Sequence, residues 1–208
     1  PFLPEELGLG SSGSGYLVAA AALGSAVGSL AVGPLAARFG RRTVLVGGLA
    51  AFVVASLLHL LVASLWSFVV LRALAGAAVG LAYAAASALA AEVSPYSRRG
   101  AAMGRFNAGM FLAIPIGMPL SVWMARSGYW SGIFIVQAMI GALGAYWAVR
   151  AVPPQARAER PTRQWHVLSR GPVLAGLIAT MLHVGSFFTS VQLATTWQFW
   201  ALLSAGFA

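Results

Sequence analysis

Six apolar runs, roughly residues 15–37, 43–64, 66–91, 103–125, 131–151 and 172–193, constrain this chain more than any other feature of it. About 20 apolar residues, at 1.5 Å rise each, cross the roughly 30 Å of hydrocarbon in a bilayer, and every run is long enough. Within lipid each backbone polar group needs an internal partner, so uninterrupted apolar runs of this length predict helices. Composition points the same way. The chain is 60% hydrophobic and 8% charged, whereas a globular domain carries about 25% charged residues. The expected fold class is therefore all-α: a polytopic helix bundle in the lipid bilayer.

The arginines set the register and orientation of these spans. All thirteen basic residues are arginine, and the four acids are Glu5, Glu6, Glu92 and Glu159. Arg38, Arg41 and Arg42 follow the first run, Arg98, Arg99 and Arg105 flank the third turn, and Arg150, Arg157, Arg160, Arg163 and Arg170 mark the fifth connection. Eleven of the thirteen thus fall on one alternating side, with Arg126 opposite and Arg72 inside a span. Arginine-rich short loops face the cytoplasm, which places Pro1 outside and the 152–171 linker inside. Net charge is +9, but the arginines are grouped between apolar runs rather than spread along one polar face, so nucleic acid is not the expected partner. The absence of cysteine excludes disulfides and thiolate metal sites.

Residues 1–15, PFLPEELGLGSSGSG, read as a loop, and the prolines of the linker stop the fifth helix. Residues 163–170 mix Trp165, Val167 and Leu168 with basic side chains, which fits either a short interfacial helix or an irregular connector.

The basic turn after the first run, Gly33 to Leu45, reads GPLAARFGRRTVL. It resembles the loop between the second and third helices of the major facilitator superfamily of transporters. Gly33, Leu35, Ala36, Arg38, Gly40, Arg41, Arg42 and Leu45 match that family's pattern, and Ala37 stands where the family has an aspartate. Arg72-Ala-Leu-Ala-Gly76-Ala-Ala-Val-Gly80 is similar to the family's fourth-helix pattern, 39 residues after Gly33. Ala113-Ile-Pro115-Ile-Gly117-Met-Pro119-Leu120 resembles the Gly-x-Pro-Leu form of its fifth helix. The resemblance implies twelve helices in two halves, each half built from inverted three-helix repeats, with helices two to seven represented here. Residues 1–151 would then form a first bundle without its first helix, 152–171 the cytoplasmic linker between halves, and 172–208 the start of a second bundle. It further implies a bacterial drug- or sugar-efflux type of protein, multi-pass in the cell inner membrane. Such a protein moves a small molecule by alternating access, with protons as the expected coupling ion and antiport weakly supported.

Several residues carry candidate roles. Arg72 lies about six residues, or roughly 9 Å, inside the third run, where a guanidinium needs a partner, water or a route to the surface. It is the first candidate for a transport pathway. His183, Asn107 and Gln137 are further polar positions within runs. His59 lies near an outer end, where it is expected to reach toward the interface. By the resemblance, Gly33, Arg38, Gly40, Arg41, Arg42 and Glu92 form a gating motif, with Glu92 and Arg41 latching two helix ends. Pro115, Gly117 and Pro119 predict a kink in the fourth span, since proline removes a backbone donor. Gly24, Gly28 and Gly33, with Gly76 and Gly80, predict close helix packing. No phosphate loop, His-Glu-x-x-His pattern or embedded acid pair is present, so no enzyme chemistry, metal or cofactor is expected. The competing reading is a non-transporting membrane module, a truncated remnant acting as an assembly partner, which needs the packing glycines and not Arg72.

Overall fold

A computed structural model describes residues 11–62 and 64–152, which fall within one unit of the chain, Pro1–Pro161. Most of the linker, the sixth apolar run at 172–193 and His183 lie outside the described residues. Five helices follow in order: α1 (Ser11–Phe39), α2 (Arg41–Leu58, continued by a 3-10 turn, His59–Leu61), α3 (Leu65–Glu92), α4 (Arg99–Arg126) and α5 (Trp130–Ala151). The described residues contain no strand. Residues 15–39, 41–61, 65–92 and 131–151 form helices long and apolar enough to cross a membrane. Large apolar side chains on their outer faces, such as Leu30 at 74% exposure, suit a lipid solvent.

One expectation about the helix ends is corrected. The segment to Gly15 is not all loop: α1 begins at Ser11, because a helical hydrogen-bond ladder can extend beyond its apolar stretch. The fourth run forms one 28-residue helix, α4, with Pro115 and Pro119 inside it. Pro115 leaves the Phe111 carbonyl without its helical donor, and Pro119 does the same for Pro115. The Ser121 hydroxyl donates to the Gly117 carbonyl at 2.7 Å.

The turns are short because glycine permits them. One residue, Gly40, separates α1 from α2. Its φ of 83° and ψ of 149° lie close to a nearly glycine-only region that costs another residue about 1–3 kcal/mol. Its N–H closes the end of α1 on the Ala36 carbonyl at 2.8 Å, while its own carbonyl accepts from Val44 N–H at 3.1 Å. Gly128, with φ 78°, closes α4: the Tyr129 N–H reaches back to the Met124 carbonyl at 2.9 Å, the long bond of a Schellman cap. At the start of α3, the Ser64 hydroxyl accepts from Ser67 N–H.

The centre of the bundle is α3, which packs on α1, α2 and α4, while α2 also packs on α5. The α1–α3 seam is a backbone contact. A Cβ built on Gly24 would lie 2.0 Å from the Ala73 carbonyl oxygen, and one on Gly28 2.0 Å from that of Ala77. In return, a Cβ on Gly76 would lie 2.1 Å from the Ala21 carbonyl oxygen and one on Gly80 2.1 Å from that of Ser25. Glycines spaced by four on both helices therefore interlock. Gly33, one residue out of that spacing, has nothing within 4 Å. Near the basic turn, Ala36, Val44, Leu45, Ala82, Ala85, Leu89 and Ala148 form a buried cluster that joins α1, α2, α3 and α5.

Candidate functional site

The polar side chains occur at three levels along α3. At the arginine-rich end, the first residue of α2 meets the last residue of α3: Arg41 Nη1 forms an ion pair with Glu92 Oε1. The next residue turns elsewhere, Arg42 Nη2 donating to the Val149 carbonyl at 2.6 Å. Arg99 Nε donates to the Ala91 carbonyl at 3.0 Å. Val149 and Ala91 each lie in the last turn of a helix, where carbonyls lack intrahelical donors and the helix dipole favours a cation. The two adjacent arginines thus tie the start of α2 to the ends of both α3 and α5. Arg38 lies over the Phe39 ring, its Cζ 5.1 Å from the centroid. Ala37 is partly buried and Gly33 exposed.

Midway along α3, Tyr83 Oη donates to Asn107 Oδ1 of α4 at 3.0 Å, and the Tyr83 and Phe106 rings are 5.2 Å apart. Tyr83 lies eleven residues from Arg72, on nearly the same face of α3 and about 16 Å along it.

At the arginine-poor end three rings form a buried cluster. His59 is stacked on Phe134 of α5, with centroids 4.7 Å apart and planes 13° from parallel. It also meets Phe68 of α3 edge-on at 4.9 Å. Each of the three is 1% exposed. Arg72, one turn after Phe68, sits against the same rings, its Cζ 5.4 Å from the Phe68 centroid and 5.3 Å from that of Phe134. The expectation that His59 reaches the interface is overturned, because packing of α3 and α5 over the end of α2 encloses it. Its Nδ1 lies 2.6 Å from the Ala55 carbonyl and donates to it, while Nε2 is buried without a partner among the described residues, as is Ser56 Oγ.

Arg72 has no hydrogen bond or ring contact with Asn107 or Gln137 among the described residues. Gln137 lies partly buried on α5, and Pro115 and Pro119 are exposed on α4 with Gly117 partly buried between them. Glu92 is the sole acid among the described residues; it lies twenty residues, or about 30 Å, along α3 from Arg72. A groove of about 540 Å³ between α1, α2 and α3 is lined by apolar residues such as Val27, Val54, Leu58 and Leu74. It offers a polar molecule no side-chain partner.

Sequence reasoning missed Phe134 and Tyr83. The spacing of Phe68 four residues before Arg72 is a visible signal, since i and i+4 share a helix face. Nothing local ties Phe134 to Arg72.

A family profile described as Major Facilitator Superfamily matches residues 1–208. The chain belongs to that superfamily. It is a multi-pass membrane protein of a transporter family, not an enzyme. Among curated proteins, the chain is 25% identical over 191 residues to the inner membrane transport protein YdhP of Escherichia coli (strain K12), covering 91% of this chain and 49% of that protein. It is 33% identical over 106 residues to a D-xylose transporter of Levilactobacillus brevis, covering 51% of this chain and 23% of that protein. It is 29% identical over 157 residues to the 4-hydroxybenzoate transporter PcaK of Pseudomonas putida, covering 76% and 35% respectively. The chain thus spans about half the length, or less, of these relatives.

Proposed function

We propose that this chain forms part of a secondary transporter that moves a small molecule across the cell inner membrane by alternating access. The observation that carries the reading is Arg72, a guanidinium within an apolar span that is held against two aromatic rings. A cation at such a position is costly unless it serves a pathway or is otherwise compensated. In a low-dielectric surround it attracts an anionic group and lowers the proton affinity of neighbouring groups, so its natural partners are a substrate carboxylate, a polar substrate hydroxyl or a group that has released its proton. Asn107, positioned by Tyr83, and Gln137 supply neutral hydrogen-bonding groups on neighbouring helices, and His183 is proposed to join them. Proton coupling is part of the proposal. Glu92 is ion-paired at the far end of α3, which makes it a poor proton carrier.

Efflux of a drug-like or sugar-like molecule is the direction and class proposed from the fifth-helix pattern. The names of relatives add two chemical classes to examine, a pentose and an aromatic carboxylate. In the same reading, residues 1–151 are a first bundle, 152–171 the linker and 172–208 the start of a second. Arg41–Glu92 and Arg42–Val149 close the arginine-rich ends of α2, α3 and α5 against one another, and their opening accompanies the change of access. The kink residues Pro115, Gly117 and Pro119 give α4 two places at which to bend.

The test is transport of radiolabelled D-xylose and 4-hydroxybenzoate in right-side-out and everted membrane vesicles, with wild type and Arg72→Ala at matched insertion. Loss of flux in Arg72→Ala, with dependence on an imposed proton gradient, supports the reading. Flux that Arg72→Ala leaves unchanged rejects Arg72 as a pathway residue.

A further inference from the structure

The His59 imidazole is the buried titratable group that the proposed pathway does not use. It lies under both rings that seat Arg72: face to face with Phe134 and edge-on to Phe68. The two phenyl rings also meet each other at 5.8 Å, 75° from parallel. The Ala55 carbonyl fixes the imidazole through Nδ1. That bond settles the neutral tautomer: the proton is on Nδ1, and Nε2 is the lone-pair nitrogen. A cation is drawn to a ring face by its quadrupole, and the two faces can act together only while their mutual angle is held. Phe68 comes from α3 and Phe134 from α5, and besides their own edge contact a third group can fix one against the other. The imidazole from the end of α2 touches both.

We propose that His59 is a positioning residue for Arg72, acting through Phe68 and Phe134, and that a proton added at His59 Nε2 releases the guanidinium from its seat. The inference rests on the reading of Arg72 as a pathway residue. The electrostatics are local. From α3 the charged group facing His59 is Arg72, and from α5 the facing residue is Phe134. The nearest charge on α5 beyond it, Arg150, is sixteen residues or about 24 Å away. On α2 itself, Arg41 and Arg42 are at the opposite end, more than about 25 Å away. A protonated imidazole would therefore set a second cation beside Arg72 with no carboxylate among the described residues to offset it. Acidification and a seated Arg72 oppose each other.

The experiment reads Arg72 itself. Membranes holding the protein are treated with phenylglyoxal across a pH series, and modification of Arg72 is quantified by peptide mass spectrometry relative to exposed Arg98. Wild-type Arg72 is expected to react slowly near neutral pH and faster, relative to Arg98, on acidification. His59→Ala and Phe134→Leu should raise the relative rate at neutral pH roughly tenfold, the scale of a desolvated cation–π contact. His59→Phe keeps a ring in the stack without a titratable nitrogen, so it should restore protection and abolish the pH dependence. A relative rate unchanged in His59→Ala overturns the positioning role, and a pH response that survives in His59→Phe overturns the proton switch. Should His59→Ala fail to reach the membrane, Phe134→Leu and His59→Phe decide the two points by the same criteria. Transport measured on the same membranes separates the two readings: an unseated Arg72 with intact flux keeps the seat and removes Arg72 from the pathway.

Discussion

Gly28→Ala probes the α1–α3 seam directly. A methyl group at this position would lie 2.0 Å from the Ala77 carbonyl oxygen, 2.8 Å from its carbon and 2.9 Å from its Cα. All three are backbone atoms of a helix interior, so no rotamer change relieves the contact. The helices must separate locally by more than an ångström to reach ordinary contact distance. Gly24, Gly76 and Gly80 make the same approach, and a Cβ on any of them would lie within 2.1 Å of a backbone oxygen. Separation at Gly28 therefore loosens neighbouring contacts along the seam, and the Ser29 hydroxyl's 3.3 Å approach to the Gly80 carbonyl lengthens with it. Overpacking of this kind costs about 1–3 kcal/mol, while replacing a helical glycine by alanine returns up to about 1 kcal/mol. With the full propensity gain the net expectation is a destabilisation of about 0–2 kcal/mol against wild type, and of about 1–3 kcal/mol against a control that has the same gain without the clash. Gly33→Ala is the control. It lies in the same helix with open space around it, so only the propensity gain applies and the variant should be neutral or slightly more stable. The assay is reversible unfolding by sodium dodecyl sulfate in mixed micelles, followed by circular dichroism and intrinsic fluorescence. If Gly28→Ala is as stable as Gly33→Ala, the interlocked seam is not what holds α1 to α3.

Three other outcomes are expected. Glu92→Arg should change stability by no more than about 1 kcal/mol, because both partners of its ion pair are solvent-accessible. It should nevertheless impair transport, and Arg41→Glu in the same protein should restore it; a double variant no better than either single one rejects the latch. Gly40→Ala should lower stability in the same detergent assay by about 1–3 kcal/mol, the cost of its positive-φ, extended-ψ backbone for an L-residue. Unchanged unfolding would show that the turn can relax. Ala37→Asp should shift the protein toward an outward-open state, seen as altered thiol labelling of cysteines placed on the two sides, since the family pattern that the basic turn resembles has aspartate at that place. Equal labelling on both sides before and after the substitution contradicts it.

The helices were legible in the sequence because membrane solvent imposes a length and an apolarity that few residues can violate. The first five apolar runs fall within the observed helices α1 to α5 apart from a few residues at their ends, and Gly40 lies between arginines where the turn was read. The ends were less legible. The start of α1 at Ser11 depends on backbone hydrogen bonds that polarity does not report. The glycine spacing on α1 and α3 signalled a close seam, but only the packed helices show that the two sets interlock and that Gly33 is outside them.

The candidate site divides in the same way. Arg72 is visible in sequence because a charge within an apolar run is conspicuous, and Phe68 is visible one turn before it. The Arg41–Glu92 meeting was suggested by family resemblance, since the residues are 51 positions apart and no local pattern joins them. The Arg42 bond to the Val149 carbonyl spans 107 positions and involves a backbone atom, about which side-chain identity is silent. His59 was misplaced because its exposure depends on what covers the end of α2. By itself the sequence determined the class, the spans and where charge could stand, because those follow from transfer of each side chain between water and lipid. Only the tertiary structure decided which rings enclose His59 and face Arg72, because contacts between α2, α3 and α5 arise from how the helices cross and not from the periodicity of any one of them.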